Sequence, residues 1–376
     1  MSPTAAPLLA GALGVDDAMA VGEAPGRVTL VGDHVDYVGG HVACMAVDLC
    51  LEVAARPSRD GWWRAVSRGV RAERARPEMA GDIGDRLFAA ALALGRHGIT
   101  VPPLELAVAG DLPPSAGLGS SAAVILAATV ALLRLTGHRV SAEELVAIAL
   151  TAERDVAGVP CGDLDQRAIV HGTDGSVLDL DCAAGSRRSI AWPWPEIALL
   201  VATSGDSHDV GGGEYRRRRE AAEEACASLG VSSCQEIGER WRELPPRLRP
   251  RGRHIATETL RAGAAVAALQ AGDVTELGRL MDESQASLRS DCEVSTPRLD
   301  SMVAAARGVT GCHGARLVGA GFGGSVIALV DQAAAATCAA ALTGVSGVEG
   351  GTWLVRPAAG LEVSASDVLG EGDRRG

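Results

Sequence analysis

Hydrophobic and polar positions alternate and cluster along the chain in a way that sets out a series of elements. Short apolar or alternating runs bounded by turn residues predict strands at Val28–Val31, Val42–Ala46, Leu51–Ala55 and Leu104–Val108. Helical spacing predicts helices at Arg86–Gly95 and Ala142–Val156, with an unbroken apolar run, Ala122–Leu133, reading as a buried helix. Trp192-Pro-Trp-Pro195 interrupts this pattern before a further strand, Ile197–Ala202. Long Ala/Arg/Glu-rich amphipathic helices follow at Glu214–Leu229, Thr257–Ala271, Val274–Leu288 and Thr296–Arg307, and then a strand–turn–strand unit, Ala315–Val330. The predicted organisation is two domains, 1–190 and 191–376, with both ends frayed.

Composition narrows the possibilities. A chain of 376 residues, 47% hydrophobic, is long enough to bury a substantial core. Its net charge of −12 argues against binding nucleic acid or a membrane surface. No apolar run reaches membrane-spanning length, and the Ala/Gly/Pro-rich start lacks the basic region of a signal peptide, so a cytoplasmic location is expected. Nine scattered cysteines without a Cys-x-x-Cys pair read as reduced thiols, and eight dispersed histidines leave no zinc-binding spacing. Lysine and asparagine are absent throughout. The run Arg216–Arg219 is followed by Glu220, Glu223 and Glu224, which predicts i to i+4 pairing on a solvated helix face.

Three segments carry candidate chemistry. Gly110-Asp-Leu-Pro-Pro-Ser-Ala-Gly-Leu-Gly-Ser-Ser-Ala-Ala123 reads as a loop between strand and helix. Gly117 and Gly119 let its backbone approach a ligand, and Ser120 and Ser121 stand where the helix begins, so free N–H groups and the helix dipole form an anion site suited to phosphate. The loop lacks the Gly-Lys-Ser/Thr ending of a Walker motif, and a Ser/Gly-rich helix start also serves as a plain N-cap. Pro25 to Gly40 places Asp33, His34 and Asp36 in a glycine-bracketed loop beside Arg27, suited to the hydroxyls of a polyol or, more simply, to an Asx-rich turn. A third stretch, Glu153 to Gln166, ends a helix at Gly158 and sets Asp163 and Asp165 in a constrained turn, where one of them could act as a base or cap the next helix. The glycines 319, 321, 323 and 324 make a turn between two strands with no helix after it. That excludes a dinucleotide-binding reading and leaves a bulged hairpin or the close approach of another segment.

Together and in this order, these motifs resemble the GHMP small-molecule kinases, and within them the galactokinase subfamily. Gly26-Arg-Val-Thr-Leu-Val-Gly-Asp-His-Val-Asp-Tyr37 and Gly162-Asp-Leu-Asp-Gln166 carry the resemblance. So do Glu214-Tyr215, Arg218-Arg219, Glu283-Ser284, Ser287-Leu288-Arg289 and Glu293-Val294-Ser295. The resemblance implies an α+β fold of two domains, the first like ribosomal protein S5 domain 2 and the second ferredoxin-like. It implies an ATP- and Mg²⁺-dependent sugar kinase, monomeric or homodimeric, that phosphorylates an anomeric hydroxyl. On this reading Asp165 is catalytic, with Arg27 as its partner. Asp33, His34, Asp36, Gly162, Asp163 and Tyr215 hold the sugar. Ser115, Gly117, Leu118, Gly119, Ser120 and Ser121 bind the nucleotide, and Ser121 with Glu153 holds the metal. Several positions depart from the subfamily pattern: Asp33 for glutamate, Asp163 for isoleucine, Thr29 for asparagine, Val318 for threonine, Ser325 for cysteine, and Ser207 for arginine or lysine. Those at 33, 163 and 207 point either to a sugar other than galactose, such as a higher-carbon sugar, or to neutral drift. A non-catalytic sugar sensor of the same ancestry is disfavoured by the retained Ser120-Ser-Ala-Ala123, Arg27 and Asp165.

Overall fold

The computed structural model describes residues 20–206, 213–349 and 351–361. Ser207 and most of both ends lie outside them. The chain forms two sheets. The first contains β1 (Ala20–Val31), β2 (His41–Pro57), β3 (Trp63–Ser67), β4 (Val70–Arg74), β5 (Leu104–Gly110), β6 (Ser176–Asp181) and β7 (Ser186–Ala191), in the order β4-β3-β5-β2-β6-β7 with β1 also paired to β2. The second, entirely antiparallel, has the order β11-β8-β10-β9 and is built from β8 (Ile197–Thr203), β9 (Cys312–Val318), β10 (Ser325–Asp331) and β11 (Thr352–Val355). The chain passes from one sheet to the other through the Trp192–Pro195 segment.

The predicted strands 42–46 and 51–55 are a single strand. The polar break at Asp48 is a bulge, where pairing with β1 jumps from Pro25↔Cys50 to Gly26↔Val47. Asp48 is used there, accepting the Arg356 N–H at 2.9 Å.

The helices are α1 (Gly84–Arg96), α2 (Ser120–Thr136), α3 (Ala142–Leu150), α4 (Leu164–His171), α5 (Gly213–Leu229), α6 (Arg249–Ala271), α7 (Val274–Ser287), α8 (Pro297–Arg307) and α9 (Ala335–Ser346). From Ala122 to Leu133 α2 is apolar except for Thr129, whose hydroxyl donates to the Ile125 carbonyl at 2.8 Å, and nearly all of that length is buried against β1, β2 and α1. One continuous core extends from the first sheet through α2 and reaches α6, α7 and one face of the second sheet. A second core lies between the other face of that sheet and α8 and α9. The predicted helix 142–156 changes character: α3 stops at Leu150, and a π-helical stretch, Thr151–Val156, continues it and carries Glu153. Among the described residues no helix is long and apolar enough to cross a membrane, and all nine cysteines are free.

α5 accounts for the arginine run only in part. Arg219 pairs with Glu223 at 2.7 Å, as i to i+4 spacing predicts. The same Arg219 also reaches inward to the Cys161 carbonyl at 2.9 Å and lies over the Tyr37 ring, and Arg218 donates to the Cys292 carbonyl at 2.8 Å. Half of the run therefore fastens α5 to the loops beneath it.

Candidate active site

A cleft opens where the phosphate-type loop, the end of β1 and the start of α4 converge. Within the loop, Ser115, Gly117 and Gly119 all have positive φ, at 58°, 69° and 72°, and such turns direct successive N–H groups to one side. Gly119 is the N-cap of α2, so Ser120 and Ser121 occupy its first turn. Both serines, with Ser115, Gly117 and Gly119, line the cleft. Leu118 is instead buried beneath the loop, where its carbonyl accepts the Arg27 N–H at 2.9 Å.

The glycine turn 319–324 packs against the back of this loop. A Cβ on Gly117 would fall 2.6 Å from the Val318 carbonyl oxygen, and one on Gly319 would fall 3.1 Å from Gly117 Cα. The glycines thus mark the close approach of two chain segments, and the second sheet braces the loop.

Arg27 and Asp165 meet at the centre of the cleft. Arg27 donates from Nε to Asp165 Oδ1 at 2.7 Å, and its Nη2 lies 2.6 Å from the same oxygen. Its Nη1 donates to the Gly117 carbonyl at 2.5 Å, so one guanidinium joins the catalytic candidate to the phosphate loop. The Arg27 side chain is nearly buried, whereas the Asp165 side chain is 30% exposed and faces the cleft. Burial opposes the Arg27 charge, but Asp165 and Asp33 outweigh it and raise its pKa.

Behind them, Ser121 donates its hydroxyl to Glu153 Oε1 at 2.7 Å, and Gln166 donates to Glu153 Oε2 at 2.6 Å. Burial raises the Glu153 pKa against the hydrogen bond from Ser121. A buried carboxylate beside a hydroxyl at a phosphate loop suits a hard divalent cation. No group of three His, Cys, Asp or Glu side chains capable of holding a metal exists among the described residues, so a cation here would need phosphate oxygens and water as further ligands.

Asp33, His34, Asp36 and Tyr215 line the opposite wall, with Gly162 between them and Asp165. Asp36 packs on Gly162 so closely that a Cβ there would fall 1.5 Å from its Oδ2. His34 Nε2 lies 3.1 Å from the Ala320 carbonyl, which can only accept. The neutral ring therefore donates from Nε2 and accepts the Tyr37 hydroxyl at Nδ1, 3.1 Å away. Burial and the neighbouring His254 lower its pKa to about 3. The Tyr215 ring lies 5.7 Å from that of His34.

Asp163 is not brought to the cleft. Its carboxylate accepts from Arg167 Nε at 2.6 Å, one turn along α4.

Several functional positions were not singled out from sequence. Arg86 lines the cleft and bonds Ser121. Residues distant in sequence build the Gly32–His34 loop: Glu258 accepts the Gly32 N–H at 2.9 Å, His254 Nε2 lies 3.1 Å from the Asp33 carbonyl, and Arg316 pairs with the Asp33 carboxylate. Arg316 is fully buried and also donates to the carbonyls of Leu30 and Leu317, at 2.9 and 3.0 Å. An arginine inside a predicted strand was the available signal, since such a charge needs a partner when buried.

Burial, reinforced by Asp165, Asp163 and Asp33, pushes the Asp36 carboxyl up to about 7 from an ordinary 3.8. A carboxyl raised in the folded state adds stability at low pH and loses it as pH climbs through its folded value. The melting temperature of the sugar-free protein is therefore expected to fall between about pH 4 and pH 7 and to level off above that. Asp36→Asn should flatten that fall. Thermal scans across buffered pH values check this, and an identical slope in the variant would remove Asp36 as its source.

The family models match this architecture. Residues 85–173 match the GHMP kinases N terminal domain and residues 265–345 the GHMP kinases C terminal domain, which defines the class as a GHMP small-molecule kinase with its two-domain fold. Residues 12–57 match the galactokinase galactose-binding signature. A galactokinase of Roseiflexus sp. (strain RS-1) is 36% identical over 329 residues, 84% of each chain, and that of Homo sapiens is 32% identical over 338 residues, 86% of each. The crystal structure of Lactococcus lactis galactokinase complexed with galactose has a TM-score of 0.87 and 27% identity, covering 95% of this chain and 98% of that one. The chain belongs to the galactokinase family: it is a galactokinase-like sugar kinase, a phosphotransferase with an alcohol acceptor and ATP as donor. A mevalonate kinase structure, at 18% identity and a TM-score of 0.63, shares the fold.

Proposed function

We propose that this kinase transfers the γ-phosphate of ATP to the anomeric hydroxyl of galactose or a close relative, yielding a sugar 1-phosphate. The observation that carries the reading is the Arg27–Asp165 pair, tied through the Gly117 carbonyl to the phosphate loop and facing the Asp33–Asp36 loop across the cleft. Phosphoryl transfer needs positioning and charge stabilisation more than covalent help from the protein. Asp33, Asp36 and His34 take the sugar's distal hydroxyls, and Asp165 accepts the hydrogen bond of the attacking one. Arg27 fixes the carboxylate and offsets negative charge that builds on the transferred group. Ser115 to Ser121 receive the phosphates through backbone N–H groups and the start of α2.

Ser121 and Glu153 would hold Mg²⁺, which when bound neutralises phosphate charge. Glu153→Gln is expected to raise the Mg²⁺ needed for half-maximal rate, by about tenfold for the loss of one charged ligand. A Mg²⁺ titration of steady-state turnover checks this, and a curve superimposable on the wild type would dismiss Glu153 as a ligand.

A coupled ADP-release assay over a panel of free sugars, with phosphorus NMR of the product, tests the main reading. A primary-alcohol phosphate would refute it. Asp33 remains a candidate determinant of sugar choice. If Asp33→Glu leaves the ranking of the panel unchanged, the shorter carboxylate is without consequence for specificity.

A further inference from the structure

We propose that Arg86 is a phosphate ligand of the nucleotide, the side-chain cation that meets ATP at the end of the Ser115–Ser121 loop; this rests on the kinase reading above. In the cleft the carboxylates of Asp165 and Asp33 already engage Arg27 and Arg316, so these pairs bring no net positive charge to a polyphosphate anion. The chain has no lysine, so any side-chain cation offered to ATP is an arginine or a protonated histidine. His34, the histidine in the lining, is neutral because burial lowers it to about 3. Arg27 is held by Asp165 and the Gly117 carbonyl, so its charge is shared with that carboxylate and is directed to the transferred group, not to the bound nucleotide at large.

Arg86 differs from Arg27. It is exposed, in the first turn of α1, and its Nε donates to the neutral Ser121 hydroxyl at 2.5 Å. No ion pair among the described residues engages it. Ser121 in turn donates its hydroxyl to Glu153, so Arg86, Ser121 and Glu153 form a hydrogen-bonded line from cleft surface to buried carboxylate. That line begins at the first turn of α2, where free N–H groups already favour an anion. A guanidinium here can exchange a hydroxyl for phosphate oxygens, which it can bind in pairs. Proximity to Ser121 and Glu153 assigns it to the outer phosphates, not the α-phosphate.

Calorimetric titration of the full chain with ATP, ADP and AMP in EDTA tests this without metal or sugar. Arg86→Gln is expected to weaken ATP binding about 10- to 100-fold, as for loss of a charge-assisted hydrogen bond. AMP binding should stay within about twofold, and Arg86→Lys should restore part of the ATP affinity by returning the charge. Two results would overturn the inference alone: Arg86→Gln binding ATP as the wild type does, or losing AMP and ATP equally, which signals a displaced α1. A wild-type protein that binds none of the three nucleotides would overturn the kinase reading as well.

Discussion

Asp165→Asn is expected to lower turnover by at least about 10³-fold while ATP affinity changes by no more than a few-fold. The amide preserves the shape of the side chain, but it removes the charge that Arg27 grips through Nε and Nη2 and the acceptor offered to the attacking hydroxyl. The hydrogen bonds that link Asp165 to the nucleotide loop run through Arg27, which the variant retains, so nucleotide binding is spared. Arg27→Lys should cost about 10²-fold, because an ammonium cannot join Asp165 and the Gly117 carbonyl simultaneously in the planar geometry seen here. Asp163→Asn is the control: its partner is Arg167, outside the cleft, and its activity should stay within a few-fold of wild type. Single-turnover kinetics with parallel nucleotide titrations decide the matter. Near-normal turnover in folded Asp165→Asn, or a dead Asp163→Asn, would move the catalytic role elsewhere.

The second large effect concerns stability. Arg316→Met should cost about 3–5 kcal/mol, the scale for removing one partner of a buried ion pair. The methionine fills much of the volume, but it leaves the Asp33 carboxylate and the Leu30 and Leu317 carbonyls without their donor. Glu258 suffers less, since Arg261 and Ser284 still hold it. Adding Asp33→Asn should recover a good part of the loss by removing the stranded charge, while sugar affinity stays impaired. Denaturant unfolding of the two single variants and the double variant forms a cycle whose coupling measures the pair. Independent, additive losses would mean that Arg316 acts through packing alone.

The outline of this molecule could be read from local patterns because those patterns are local in origin. The apolar run 122–133 could only be a helix buried on every side, and Gly117 and Gly119 announced a backbone turned toward an anion. Reading failed where long-range contacts decide. Asp48 interrupted an apolar run as a turn would, but β1 and Arg356 make it a bulge. Glu153 sits on a widened helical turn that no spacing rule distinguishes from the α-helix preceding it. Asp163 and Asp165, two positions apart, are separated in sequence only by the family resemblance and not by local pattern; in the fold Arg167 engages the first and Arg27 the second. Arg86 looked like one more surface arginine at a helix start.

The Gly32–His34 loop has a consequence for how the protein is made. Its own strand leaves the ribosome early, yet the loop is fastened by Glu258, 226 positions from Gly32, and by Arg316, 283 positions from Asp33. Until those late segments emerge, the nascent chain can pair β1 with β2 but lacks the arginine that pairs directly with Asp33 in the buried position it will occupy. The sugar-facing loop is therefore among the last parts of the first sheet to mature during synthesis, and translation must run past β9 before the cleft can have both its walls.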